Sequence, residues 1–258
     1  MPENGVFVRQ AHALIPARYA SSRLPGKPLL PLKGRPMFYH VWRRAMLCPG
    51  LSSVTLATDD ERIRRAALEL DVPVLMTSPA HASGTDRVHE AARLLKLPRE
   101  ALIVNIQGDE PALDPGLVSL LLGAFADSAV KAATAAHPLA AADFARDDKV
   151  KVVLDRAANA LYFSRAPIPR ARDGTCSAPP LGHIGIYAFT FPTLKKFVGL
   201  PPSPLERTEK LEQLRLLENG IKIRVVLTDR ASPGVDRKED LEAALPLVDD
   251  YSSYSISR

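Results

Sequence analysis

Three cations follow a short apolar run near the start of the chain. Residues 11–15 read as a buried strand that opens into a loop carrying Arg18, Arg23 and Lys27, with Gly26 and small residues between them. No acidic residue lies between Glu3 and Asp59, and the first 58 residues hold eight Lys and Arg against one Glu. The whole chain carries +5, so the rest is close to balance and the excess is local. Guanidinium forks bridge paired oxygens and an ammonium supplies a point charge, so such a loop at the carboxyl end of a first strand suits a polyphosphate. It contains neither GxxxxGK[ST] nor GxGxxG, which sets it apart from a Walker A loop and from the dinucleotide fingerprint. The plain alternative is a solvated basic loop.

Two aspartates suit a hard cation. Asp109 stands in Gln107-Gly108-Asp109-Glu110-Pro111, directly after the apolar run 102–106. A carboxylate there projects from a strand end, and Mg²⁺ takes one or two carboxylates together with phosphate oxygens. Its alternative is a turn residue following Gly108. Asp236, in Gly234-Val235-Asp236, precedes a helical segment with Glu239 at the capping-box position. The cap leaves a second carboxylate oxygen for a metal. On a helix over 205–218, Glu206, Glu209 and Gln213 fall on one stripe that Leu216 and Leu217 continue. This stripe faces a pocket or forms a solvated charged face.

Other reactive residues point to no chemistry. His81 and His89 have no metal-ligand spacing. Cys48 and Cys176 are far apart and belong to no CxxC pair, which suits a reducing cytoplasm. No GxSxG elbow is present, so acyl-enzyme chemistry has no support.

The elements that must position these residues alternate. Strands are expected at 11–15, 54–57, 72–76 and 102–106, and helices at 37–47, 62–70, 84–95 and from Asp114-Pro115 onward. Thr58-Asp59-Asp60 reads as a helix cap. This βα repeat predicts an α/β, Rossmann-like, mostly parallel sheet flanked by helices. Beyond residue 130 the pattern gives strands at 132–136, 150–154, 161–163 and 184–189 with few long helices. That part is expected to be a smaller mixed-strand extension forming a dimer surface. A helix over 205–218, a strand over 221–227 and a helix over 238–245 return to the core. Pro201-Pro202-Ser203-Pro204 reads as a rigid hinge.

A chain of 258 residues with 46% hydrophobic content can bury one large core. One domain over 1–258 is expected: a polyphosphate-binding part over 1–130, the mixed-strand part with its dimer surface over 131–205, a return to the core over 206–248, and a polar tail over 249–258. Aromatic residues are only 6% and the basic excess is local, which argues against nucleic acid. No apolar run approaches membrane-spanning length and residues 1–10 lack a signal-peptide core, so no membrane partner and a cytoplasmic location are expected.

Taken together, the segments IPARYASSRLPGKPL (15–29), ATDD (57–60), SGTDR (83–87), VNIQGDEP (104–111), VKVVLD (150–155), ALYFSRAPIPR (160–170), HIGIY (183–187), SPLERTEKLEQLR (203–215) and GVDRKEDLE (234–242) resemble the 3-deoxy-manno-octulosonate (KDO) cytidylyltransferase family. They occur in order over residues 13–245. The resemblance implies transfer of CMP from CTP to KDO for lipopolysaccharide synthesis, with Mg²⁺ as cofactor and a homodimer as the assembly. It implies that Arg18, Arg23 and Lys27 hold the triphosphate, and that Ser83, Gln107 and the backbone near Ala17 contact cytosine or ribose. Asp109 and Asp236 would hold Mg²⁺. Arg165, His183, Tyr187, Glu206, Glu209 and Gln213 would bind the sugar acid. The chain departs from the family at Asp86, where Glu is common, and residues 171–182 are short where the family elaborates a dimer contact.

The reaction so implied is in-line attack of the anomeric 2-hydroxyl on the α-phosphorus, driven by positioning and electrostatics. The alternatives are a cytidylyltransferase for another sugar acid (8-amino-KDO or a sialic-acid-like compound) and a catalytically silent CTP-binding protein.

Overall fold

Residues 10–20, 24–173, 178–229, 234–235 and 238–249 are described by the computed structural model. Along the chain, β1 (Ala11–Ala17) leads to a 3₁₀ turn at Lys27–Leu29 and a small hairpin of β2 (Pro31–Leu32) and β3 (Arg35–Pro36). Next come α1 (Met37–Met46), β4 (Leu51–Thr58), α2 (Glu61–Glu69), β5 (Val74–Met76), α3 (Gly84–Leu94), β6 (Leu102–Asn105) and α4 (Pro115–Gly123). The second half holds β7 (Ala132–Pro138), β8 (Lys151–Leu154), β9 (Ala160–Ser164), β10 (Leu181–Thr190), α5 (Phe191–Gly199), α6 (Pro204–Glu209), α7 (Leu214–Glu218), β11 (Arg224–Leu227) and α8 (Lys238–Ala244).

The main sheet runs β11-β7-β10-β6-β1-β4-β5, with β8 and β9 attached along β10. The pairs β1–β4, β1–β6, β4–β5 and β11–β7 are parallel, while β10 runs antiparallel to β6, β7 and β8. The expected mostly parallel sheet is therefore present, but of the four strands expected to form a separate extension β7 and β10 lie inside the main sheet, where β10 pairs with β6, and only the β8–β9 hairpin hangs from it.

Strand alternation sends side chains to two cores. Ala11, Ala13 and Ile15 of β1 pack under α1, α2 and α4, against Phe38, Val41, Ile63, Ala67, Leu117 and Leu121. Leu14 and Ile103 face the other way, onto Val88 and Ala91 of α3, Leu194 and Phe197 of α5 and Leu214 of α7. Helix starts follow local chemistry: Asp60 caps α2 through Arg62 N–H, and Asp114 caps α4 with Pro115 in its first turn.

Three readings need correction. The helix expected over 205–218 is two helices, α6 and α7, because Lys210 takes a left-handed conformation at φ 54°. The break carries Leu211, Leu214 and Leu216 into the core, and tertiary packing outweighs the helix propensity of a Glu/Lys/Leu-rich run. With the helix broken, Glu206, Glu209 and Gln213 share no helical stripe. The strand expected over 221–227 begins only at Arg224. Helix α5, opened by Pro192, has no counterpart in the sequence reading.

Candidate active site

Since β1, β4 and β6 are parallel, their carboxyl ends open on one edge of the sheet. β1 lies between the other two, so successive crossovers leave it in opposite directions and a crevice forms beyond its end. Arg18, Asp59 and the loop Gln107–Gly108–Asp109–Glu110 follow these three strands directly. Gly108 permits the closest approach: a Cβ there would stand 2.8 Å from the Pro16 carbonyl oxygen.

The cationic loop meets the acidic one. Lys27 Nζ donates to Asp109 Oδ2 at 2.7 Å, with the lysine nearly buried and the aspartate partly open. The loop closes on itself where Gly26 N–H donates to the Tyr19 carbonyl at 2.9 Å. Gly26 holds φ 70°, and a Cβ there would press on the Tyr19 ring at 3.1 Å. The same ring carries the Arg62 guanidinium, 3.3 Å from its centroid. Arg23 lies outside the described residues.

Among the described residues Arg18 reaches only a carbonyl, that of Ala82 at 3.3 Å. Its pKa is lowered by burial and by the nearby Arg87, with partial compensation from Asp59, Glu212 and Asp86. A guanidinium so placed favours an incoming anion. Arg87 is itself fully buried, donating to Asp59 at 2.6 Å and to Thr77 at 2.5 Å.

Ser83 caps α3 in a reciprocal box: its hydroxyl accepts from Asp86 N–H and the Asp86 carboxylate accepts from Ser83 N–H, both at 3.1 Å. Asp86 thus performs at N3 the capping that Glu would perform there. The α3 N-terminus also meets Glu212, which accepts from Thr85 Oγ1 at 2.8 Å. Burial raises the pKa of Glu212, and burial together with Glu212 raises that of Tyr187.

Beyond Asp109 lies a cavity of about 450 Å³, with Gln107, Asp109, Glu110, Asp148, Lys149 and His183 among its lining residues. Gln107 Nε2 donates to the Gly185 carbonyl at 3.2 Å, at a register shift of β10 between Ile184 and Tyr187. A bulge of this kind re-aims side chains beside a site. His183 shares a hydrogen bond of 2.9 Å with Thr134 Oγ1 and lies edge-on to Phe163, and burial pushes its pKa down to about 3. Val235 N–H donates to the Asp109 carbonyl at 2.8 Å, so the 234–235 segment is fastened beside Asp109. Asp236 lies outside the described residues.

On the wall formed by β9 and α6, Arg165 Nε donates to the Glu209 carbonyl at 2.9 Å and its Nη1 to the Asp147 carbonyl at 3.0 Å. The Glu209 carboxylate accepts from Ser164 Oγ at 2.6 Å and from Arg165 N–H at 3.0 Å. Glu206 pairs with Arg215 through both oxygens, at 2.5 and 2.8 Å, and caps Ser203 N–H. Gln213 is buried. The structure therefore joins Lys27 to Asp109, gathers Gln107, Asp109 and His183 at one cavity, and gives Glu206 and Glu209 partners inside the protein.

Three residues of the site stand outside the sequence reading. Glu212, between Glu209 and Gln213, is the carboxylate that turns toward Arg18 and Tyr187 once the helix breaks. Glu110 is buried next to Asp109 with its pKa pushed up to about 8. Lys151 is fully buried. A charged residue inside or beside an apolar run is the available signal for Glu110 and Lys151; only the break at Lys210 singles out Glu212.

Among the described residues no group of three or more His, Cys, Asp or Glu is arranged to hold a metal. The partly open carboxylate of Asp109 at a strand end is a fitting donor for an ion that takes most of its ligands from phosphate and water. No helix among the described residues is long and apolar enough to cross a membrane.

Residues 12–223 match the family described as cytidylyltransferase. A protein of Nitratidesulfovibrio vulgaris (strain Hildenborough) named 3-deoxy-manno-octulosonate cytidylyltransferase is 56% identical over 243 residues, covering 93% of this chain and 96% of its own length. One of the same name from Lawsonia intracellularis is 51% identical over 237 residues, covering 92% and 93%. The solved structure of a CMP:2-keto-3-deoxy-manno-octonic acid synthetase complexed with CTP superposes with a TM-score of 0.87 at 44% identity, covering 92% of this chain and 98% of that one. A cytidylyltransferase from Leptospira borgpetersenii, at 19% identity and a TM-score of 0.61, shares the fold.

Proposed function

The chain belongs to the 3-deoxy-manno-octulosonate cytidylyltransferase family, and on that premise we propose how its crevice works. The protein transfers CMP from CTP to the sugar acid and releases pyrophosphate. The observation that carries the placement is the meeting of the cationic loop and Asp109 across β1 and β6, at the switch point of the sheet.

Arg18, Lys27 and Arg23 bind the triphosphate, and Arg18 does so from a position that lacks a carboxylate partner among the described residues. Gln107, the Ala17 backbone and the α3 start at Ser83 bind the nucleoside. Ser83 is held for this by Asp86, and its neighbour Thr85 by Glu212. Arg165, His183, Tyr187 and Gln213 face the sugar acid, and Glu212 joins them. Glu206 and Glu209 serve by fixing Arg215 and Arg165. His183 stays neutral at physiological pH and offers a hydrogen bond without a charge.

Asp109 would hold Mg²⁺, and Asp236 would supply the second carboxylate; the N–H of Val235, its neighbour in the chain, donates to the Asp109 carbonyl. When bound, the ion neutralises phosphate charge and polarises the α-phosphoryl group. The residues then act by position. The sugar wall aims the anomeric hydroxyl at the α-phosphorus, and the cations stabilise charge as it builds on the leaving pyrophosphate. The enzyme is cytoplasmic and works as a homodimer, with the β8–β9 extension, where Leu161 is exposed, as the contact.

Pyrophosphate release by the purified protein tests this. Release is expected with CTP, Mg²⁺ and KDO and not with UTP, ATP or N-acetylneuraminate in their places. Omission of Mg²⁺, or addition of excess EDTA, is expected to stop it. Release in EDTA would remove the metal from the mechanism, and release with another sugar acid alone would change the substrate.

A further inference from the structure

Lys151 opens β8 and has no exposed side-chain surface. Its ammonium donates to three backbone carbonyls: Arg146 at 2.8 Å, Lys149 at 2.6 Å, and Arg165. Three donors meet three acceptors, which is the condition for keeping an ammonium buried. The acceptors come from two separate stretches of chain. Arg146 and Lys149 belong to the turn before β8, and Arg165 follows β9.

The first stretch borders the cavity already described, and the second is joined to it through Arg165. Asp148 and Lys149 line it together with Asp109 and His183. Arg165 returns the connection, since its Nη1 donates to the Asp147 carbonyl while its Nε and N–H are held by Glu209. An apolar side chain would fill the same volume at a lower desolvation cost but would leave the carbonyls without this donor. A guanidinium is a planar fork and does not match three carbonyls converging on one nitrogen.

We propose that Lys151 is a positioning residue of the sugar-acid subsite, tying the 146–149 turn, whose Asp148 and Lys149 line the cavity, to Arg165 and through it to Glu209. It touches no substrate and acts through Arg165 and the turn. The proposal rests on the assignment of this cavity and Arg165 to the sugar acid, and the test separates the two.

Steady-state kinetics of Lys151→Met and Arg165→Ala, each with KDO and CTP varied in turn, provide the test. Lys151→Met is expected to raise KM for KDO about tenfold while KM for CTP stays within about twofold. Arg165→Ala is expected to do the same. If Arg165→Ala raises KM for KDO and Lys151→Met does not, the role of Lys151 is overturned and the subsite stands. If neither does, the subsite assignment falls and the role of Lys151 with it. If Lys151→Met raises both KM values alike, Lys151 is structural in general and the proposal fails. Should that variant not fold, hydrogen exchange on the unaltered enzyme decides. KDO added to the CTP-bound protein is expected to slow exchange at 146–151 and at 165, and no slowing there overturns the proposal.

Discussion

The two walls of the crevice hold their charges differently. On the nucleotide side Arg18 contacts only the Ala82 carbonyl among the described residues and is disfavoured by Arg87, and Lys27 crosses the crevice to reach Asp109. On the sugar side Glu206, Glu209, Arg165 and Lys151 are tied into closed networks. One wall keeps charge for a ligand that brings the opposite sign. The other uses charge to fix its own shape, so recognition there depends on geometry. The same residue types thus have opposite expected effects when changed.

The largest effect belongs to the nucleotide wall. Asp109→Asn keeps the size of the side chain but removes the charge that pairs with Lys27 and is proposed to face metal and phosphates. Turnover is expected to fall by about a hundredfold or more, far out of proportion to any change in thermal midpoint. Pyrophosphate release and a melting curve on the same preparation check this. Near-normal turnover would move the metal elsewhere.

Arg18→Ala sharpens the contrast. It removes a charged donor proposed for the triphosphate, so KM for CTP is expected to rise by about tenfold. Stability is expected to hold or improve, because the change also removes a cation disfavoured by its burial and by Arg87, which Asp59, Glu212 and Asp86 offset only in part. A marked loss of stability without a change in KM would mean that Arg18 belongs to the structural class.

The sugar wall predicts the reverse pattern. Glu206→Gln leaves Arg215, itself buried, without its counter-charge. A loss of about 3 kcal/mol in unfolding free energy is expected, read from denaturant curves. KM for KDO at moderate temperature is expected to stay near its usual value. If KM rises while stability holds, Glu206 touches substrate and the two walls are not so different.

The same division governs which residues are legible in the sequence. The strand–loop junctions at 15–18 and 106–109 are legible because parallel strands place their following loops on one edge, whatever the details of packing. Arg18, Lys27 and Asp109 come from that rule, and the structure brings the latter two within 2.7 Å. The sugar wall is not legible in this way. Its geometry depends on one left-handed residue, Lys210, that turns a continuous helix pattern into two helices and brings Glu212 to Thr85. Local propensity favours continuing the helix, and only the burial of Leu211, Leu214 and Leu216 shows why it stops. Asp86 is a middle case: the sequence singles it out only as a departure from the family's Glu, while its capping of Ser83 and its closeness to Arg18 come from the structure.

The smallest expected effect separates the walls by pH. Burial lowers the His183 pKa to about 3, against about 6.5 when the chain is unfolded. Between these values the unfolded chain binds a proton at this position that the folded protein does not. Stability from His183 is therefore fully present above pH 6.5 and is lost as the pH falls toward 3. His183→Gln keeps a hydrogen-bonding group for Thr134 and removes the titration. The variant is expected to lose less stability than the unaltered protein between about pH 7.5 and 5, as measured by melting curves at matched ionic strength. Equal losses would mean that His183 is open enough to protonate in the folded state. The sugar wall would then carry a variable charge of its own, and its selectivity would no longer rest on shape alone.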